Sequence, residues 1–303
     1  VIGLTVVLPD GRVTELGRRV RKSSAGYNLK ALFVGAEGTL GVVTEVALRL
    51  YAQPEAVSAA VVCFPDMASA VSSVQAIMSC SVPVARMELL DGLAISAVNA
   101  YSKTDFQPAP TLFFEFHGTE AGVKEQASLV NELTSDVGGS GFQWATLPEE
   151  RARLWHARHT AYWASLATRP GLRGLPTDVC VPVSRLAEAV EGAQAAVMRH
   201  GVFAPLVGHV GDGNFHMLLM LDMDDPNSVA NGKAASNAIV ELALKMGGTC
   251  TGEHGIGHGK LGYLAKEHGP VPLTMMGAIK AALDPDNIMN PGKLGDGPLF
   301  GRP

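Results

Sequence analysis

The sequence is short of cysteine, of charge and of long hydrophobic runs, and each shortage excludes something. Its four cysteines (Cys63, Cys80, Cys180 and Cys250) stand far apart in 303 residues and form no Cys-x-x-Cys pair. A disulfide framework or a thiolate zinc site is therefore not expected, and a reducing compartment fits better. Charged residues make up 17%, against about 25% in ordinary soluble domains. The net charge of −5 carries no basic footprint for nucleic acid. The longest apolar stretches, such as Ala59 to Phe64, fall far below the ~18 residues a membrane span needs, so no transmembrane segment is expected.

Hydrophobic residues, at 47%, supply a sizeable core, and 34 glycines announce loops with demanding backbone geometry. The chain opens at Val1 directly in a strand-like run, Ile2 to Leu8, that meets a Pro9-Asp10-Gly11 turn. This reads as a fragment whose N-terminal region, with any targeting segment, lies upstream.

The coarse organisation is α+β. Residues 1 to about 53 are Gly-rich with β-like runs at Leu32–Val34 and Val42–Leu50, and Gln53-Pro54-Glu55 is a break. A strand (Val57–Phe64), a helix (Met67–Met78), a strand (Arg86–Leu89), a helical run, a strand (Thr111–His117) and a helix near Ala121–Thr134 follow. A loop through Gly138–Gly141 and a mixed segment containing Trp155 and Trp163 come next. Pro182 opens a helix with Leu186, Val190, Ala193 and Val197 on its apolar face, and Asp225-Pro226 caps another that closes at Gly247-Gly248. Strands and helices alternate without the strict rhythm of a doubly wound fold.

Two stretches carry candidate chemistry. In Gly208-His209-Val210-Gly211-Asp212-Gly213-Asn214-Phe215-His216, Asp-Gly between β-like runs signals a two-residue hairpin. That turn would set His209 opposite His216, where two imidazoles can chelate one divalent metal; two unrelated strand histidines are the alternative. In Gly252-Glu253-His254-Gly255-Ile256-Gly257, Glu253 could complete a site of two histidines and one carboxylate, with His254 as a general base. A solvent-exposed Gly/His loop is the alternative there.

Arg153 and Arg158 could each clamp a carboxylate, or simply form a basic helix face. Gly259-Lys260 lacks the spacing of a phosphate loop. Gly35-Ala36-Glu37-Gly38-Thr39-Leu40-Gly41 precedes a strand and is not a Rossmann turn, although its glycines could let a ligand approach the backbone closely.

Together these stretches, with Ser24–Leu29 and Asn290-Pro291-Gly292-Lys293, resemble the flavin-dependent 2-hydroxy-acid dehydrogenases of the vanillyl-alcohol-oxidase type, in the family's order over nearly the whole chain. Thr177–Pro182 and Ala167–Gly171 look most like the mitochondrial D-lactate (cytochrome) branch. The resemblance implies the C-terminal part of an FAD-binding domain (1–53), an antiparallel-sheet cap domain with flanking helices (54–280), and a last stretch (281–303) returning to the flavin. It implies that Gly35, Glu37, Gly38, Gly41, Val43 and Asn290 line FAD. His209, His216 and Glu253 match the family's ligands for a divalent metal, which Zn or Mn would suit. His254 matches its base and Arg158 its substrate clamp.

The implied substrate is a small D-2-hydroxy acid, with an electron acceptor such as cytochrome c and a mitochondrial location. Relatives that take dicarboxylates carry an Asn where this chain has Leu218 and a Lys where it has Pro176. Those positions favour D-lactate or a similar apolar 2-hydroxy acid over 2-hydroxyglutarate. Glycolate oxidation, metal-dependent hydrolysis and an inactive fragment remain the alternatives.

Overall fold

A computed structural model describes residues 1–301. The chain forms two compact units: Val1–Ala52 with Glu253 onward, and Gln53–Gly252. No helix among the described residues is long and apolar enough to cross a membrane.

In the first unit, β1 (Gly3–Val7), β2 (Val13–Gly17), α1 (Leu29–Phe33) and β3 (Val42–Ala47) follow one another, and the strands pair antiparallel in the order β2-β1-β3. Leu4, Val6 and Leu16 make a small core with Leu8 and Phe33 packed on it. The expected β-run at Leu32–Val34 is instead the end of α1. Leu29, Lys30 and Leu32 are good helix formers, and three apolar residues are too few to hold a strand without a partner.

The second unit runs β4 (Ala56–Cys63), α2 (Met67–Ser79), β5 (Val84–Leu90), α3 (Gly92–Ser102), β6 (Thr111–Gly118), α4 (Glu120–Ser135), β7 (Ser140–Ala145), α5 (Pro148–Ala167), β8 (Arg173–Pro176), β9 (Val179–Cys180), α6 (Leu186–Arg199), β10 (Leu206–His209), β11 (Asn214–Leu221) and α7 (Pro226–Lys245). Its eight strands form one antiparallel sheet, ordered β7-β4-β6-β5-β10-β11-β8 with β9 also on β11. This is the antiparallel sheet with flanking helices that the sequence led us to expect.

Ala59, Val61, Leu90 and Phe113 on one face of the sheet share a core with α3 and with Leu154, Trp155, Ala157, Ala161 and Ala164 of α5. The residues of opposite parity, Ala60, Val62, Phe114 and Phe116, are equally buried, so both faces are covered. Helix starts follow the capping rule: Asp66, Asp91, Thr119 and Asp225 each accept a backbone N–H from the first turn.

Three expectations are corrected here. The mixed segment with Trp155 and Trp163 is a single 20-residue helix, α5, opened by Pro148 with Glu149 and Glu150 in its first turn. The expected loop at Gly138–Gly141 already passes into β7 at Ser140.

The hairpin is wider than Asp-Gly implied. Val210–Asp212 form a 3₁₀ turn, Gly213 closes it at φ 78°, and His209 pairs with Asn214 while His216 pairs with Val207. Val210 is drawn fully into the core and the Gly213 carbonyl accepts from Val181 N–H, so tertiary packing overrides the tight turn.

The boundary expected at 280 also moves. The compact second unit ends at Gly252, and α8 (Leu261–His268) and α9 (Pro270–Leu283) belong with the first. The Glu37 carboxylate accepts the Ile256 and Gly257 N–H groups at 2.6 and 2.9 Å. Buried Lys280 of α9 donates to the Thr39 and Met289 carbonyls at 2.8 and 2.7 Å and pairs with Asp284.

Candidate active site

The register of β5, β10 and β11 decides which side chains share a face. Glu88 of β5 stands opposite Phe113, Val207 of β10 opposite Leu90, and Val207 again opposite His216 of β11. Directly opposed residues project from one face, and residues two apart share it. Glu88, His209 and His216 therefore all point to the side that α5 covers. The hairpin register differs from expectation by two residues rather than one, so parity is preserved and both histidines keep the same face. Their ring centroids lie 5.6 Å apart at 84°.

On α5, Arg158 follows the buried Ala157 and reaches this group, whereas Arg153 is exposed. The Arg158 guanidinium donates from Nε and Nη2 to Glu88 Oε2 at 3.0 and 2.9 Å, and both side chains are largely buried. The other carboxylate oxygen, Glu88 Oε1, lies 2.8 Å from His209 Nδ1. His216 Nδ1 lies 2.8 Å from the Thr177 carbonyl.

A carboxylate and a carbonyl only accept, so each of these two contacts is a hydrogen bond donated by an Nδ1–H. That is the arrangement in which a neutral imidazole ligates a metal, its second nitrogen held by an acceptor. The donor set fits a divalent ion.

Behind His216 lies a fully buried carboxylate. Asp178 accepts from Asn214 Nδ2 at 2.9 Å and from the Thr251 hydroxyl at 2.7 Å, with His216 Nδ1 at 3.8 Å. Gly252 is pressed into this cluster: a Cβ there would stand 1.7 Å from Asn214 Nδ2 and 2.9 Å from Asp178 Oδ1. Only glycine lets the backbone pass so close. Glu253 is the next residue, and His254 Nε2 lies 3.8 Å from Glu253 Oε1, both side chains about half exposed. Burial, reinforced by the Asp212 and Asp178 carboxylates, pushes the nearby Cys180 thiol up, so it remains a neutral thiol.

The residues expected at the flavin lie in the first unit. Gly35, Glu37 and Gly38 have positive φ, and Asn290 Nδ2 donates to the Glu37 carbonyl at 2.5 Å, joining the Gly-rich loop to the C-terminal turn. Among the described residues, none beyond its chain neighbours has an atom within 4 Å of where a Gly35 Cβ would be, so the loop surface is open there. Gly41 has a packing duty of its own, since a Cβ would meet the Val7 carbonyl at 2.7 Å. Val43, on β3, is exposed.

Reading the sequence did not pick out Glu88 or Asp178 as site residues. The signal was a lone carboxylate inside the apolar run Met87-Glu88-Leu89-Leu90, on a strand that pairs on both edges, and another in Thr177-Asp178-Val179 between two strands: a buried acid needs a cationic or hydrogen-bond-donating partner.

The family model for FAD linked oxidases, C-terminal domain, matches residues 53–294. The chain is 48% identical over 297 residues to the probable mitochondrial D-lactate dehydrogenase of Danio rerio, an alignment covering 97% of this chain and 60% of that protein. It is 44% identical over 294 residues to the mitochondrial D-lactate dehydrogenase [cytochrome] of Arabidopsis thaliana, covering 97% of this chain and 52% of the relative. It thus spans between half and three fifths of the length of these curated relatives.

Among solved structures, p-cresol methylhydroxylase superposes with a TM-score of 0.73 at 20% identity, over 97% of this chain and 65% of that one. The 4-ethylphenol oxidase of Gulosibacter chungangensis superposes at 0.71 with 17% identity, over 96% and 65%. These two show the shared fold. With a family model running through most of its length, the chain belongs to the FAD linked oxidases, C-terminal domain family.

Proposed function

We propose that the protein is an FAD-dependent oxidoreductase that oxidises D-lactate, or a similar small apolar D-2-hydroxy acid, to the 2-oxo acid with the help of a divalent metal. The observation that carries this reading is the pair of histidines, both with Nδ1 tied to an acceptor, on the face that also holds Arg158. His209, His216 and Glu253 are the metal ligands. Gly35, Glu37, Gly38, Gly41, Val43 and Asn290 face the flavin. When bound, FAD supplies the hydride acceptor and the metal, Zn or Mn, polarises the substrate hydroxyl.

The chain's own residues bind and orient. Arg158, held by its Nε edge on Glu88, presents its remaining N–H donors to the substrate carboxylate. His254 takes the hydroxyl proton as the Cα hydride leaves. Leu218 and Pro176 stand directly opposite each other, and Leu218 lies two residues beyond His216 on the same face. This apolar pair supports a substrate with a small or apolar side chain over a dicarboxylate. The names of the relatives, both mitochondrial and one marked [cytochrome], support a mitochondrial location and reoxidation by a carrier such as cytochrome c.

The test is flavin reduction by D-lactate in the full-length protein, followed at the flavin absorbance, together with its metal content. The parent should reduce its flavin and hold about one divalent ion, and a His209→Ala/His216→Ala variant should hold none. Flavin reduction undiminished in that metal-free variant would overturn the metal-assisted mechanism. No reduction by any D-2-hydroxy acid in the parent would overturn the substrate class.

A further inference from the structure

We propose that Glu88 is a positioning residue that couples substrate binding to metal binding; this rests on the clamp and ligand roles assigned above to Arg158 and His209. One carboxylate serves both: Oε2 holds the guanidinium through Nε and Nη2, and Oε1 accepts His209 Nδ1–H at 2.8 Å. Its side chain is only 12% exposed, so little water competes for either oxygen. Glu88 thereby fixes the direction of the clamp, and it sets the His209 tautomer that leaves Nε2 able to ligate. Arg158 is Glu88's ion-pair partner as well, a link to the clamp that a backbone carbonyl behind His209 would not provide.

The discriminating variant is Glu88→Gln, equal in volume but offering one acceptor and one donor edge. If its oxygen faces Arg158, its amide N–H faces His209 Nδ1, which must then accept, and the ring proton moves to Nε2. We expect ¹⁵N-histidine spectra of the full-length protein at pH 8 to report the Nδ1–H tautomer for His209 in the parent and loss of that tautomer in the variant. The Mn²⁺ dissociation constant should rise about 10–100-fold, and KM for D-lactate should rise with it.

A purely structural glutamate would lower the melting temperature and leave tautomer and Mn²⁺ affinity alone. Should the Gln variant not fold, Glu88→Asp keeps the charge at shorter reach; it should retain the Nδ1–H tautomer and weaken Mn²⁺ binding at least threefold. An unchanged tautomer and an Mn²⁺ affinity within threefold in the Gln variant, or an unchanged affinity in the Asp variant, would overturn the proposal. A parent that binds no Mn²⁺ would instead sink the metal reading itself, while the tautomer measurement, which needs no metal, would still decide the role of Glu88.

Discussion

Gly252→Ala should be among the most damaging single methyl additions in this chain. The new Cβ would lie 1.7 Å from Asn214 Nδ2 and 2.8 Å from Asn214 Cγ, too close for any adjustment short of expelling the amide. Asn214 would lose its hydrogen bonds to Asp178 Oδ1 at 2.9 Å and to the Val179 carbonyl at 3.2 Å. A bond to a buried carboxylate is worth about 1.5–3 kcal/mol and a neutral one about 0.5–1.5 kcal/mol. Overpacking adds about 1–3 kcal/mol. Allowing for overlap between these contributions, the expected cost is about 4 kcal/mol, a large share of a typical domain's ~5–15 kcal/mol.

The assay is chemical denaturation of the parent, Gly252→Ala, Asn214→Ala and the double variant. Truncating Asn214 removes the clashing amide, so the double variant should be no less stable than Asn214→Ala alone, a strong non-additivity. Costs that simply add, or a Gly252→Ala loss below about 1 kcal/mol, would refute the steric argument. Metal content should fall with stability in the single glycine variant, since Glu253 follows directly.

Other outcomes are open to measurement. Burial pushes the Asp91 carboxyl up to about 6, against the Ala94 N–H it accepts as the cap of α3. The folded state thus holds this proton more tightly than the unfolded chain, and stability should fall as pH rises from about 4 to about 6, by up to ~3 kcal/mol. Asp91→Asn keeps the cap and should lose that slope in urea melts between pH 4 and 7; an identical slope would count against it. Lys280→Met strands the fully buried Asp284 and should cost about 3–5 kcal/mol, read as a lowered thermal midpoint, with Lys280→Met/Asp284→Asn recovering part of the loss. The double change Leu218→Asn/Pro176→Lys should lower KM for 2-hydroxyglutarate by about tenfold or more, the worth of one charged hydrogen bond; no gain would argue against that strand pair lining the substrate.

Some of this protein was written locally and some was not. Short apolar runs such as Val57–Phe64 and Thr111–His117, and the Asp225-Pro226 helix start, depend on neighbours in sequence, so the α+β class and most elements were legible from residues alone. The glycine and histidine motifs were legible as chemistry because their residue types are costly to place without purpose, and their order pointed to the flavin-linked family. The hairpin register was not legible: burial of Val210 and the Val181–Gly213 bond, both long-range, widened the turn. Face parity survived because a shift of two leaves side-chain direction unchanged.

The helix of α5 was hidden by its mixture of aromatic, charged and small residues, which acquires meaning only against the sheet that buries Ala157, Ala161 and Ala164. Glu88 and Asp178 were invisible as site residues for the same reason. A buried carboxylate acquires its partners only when other strands and a helix, distant in sequence, bring Arg158, His209, Asn214 and Thr251 within hydrogen-bonding reach. Residue type and spacing determined which chemistry this chain carries; tertiary packing alone decided which acid orients which base.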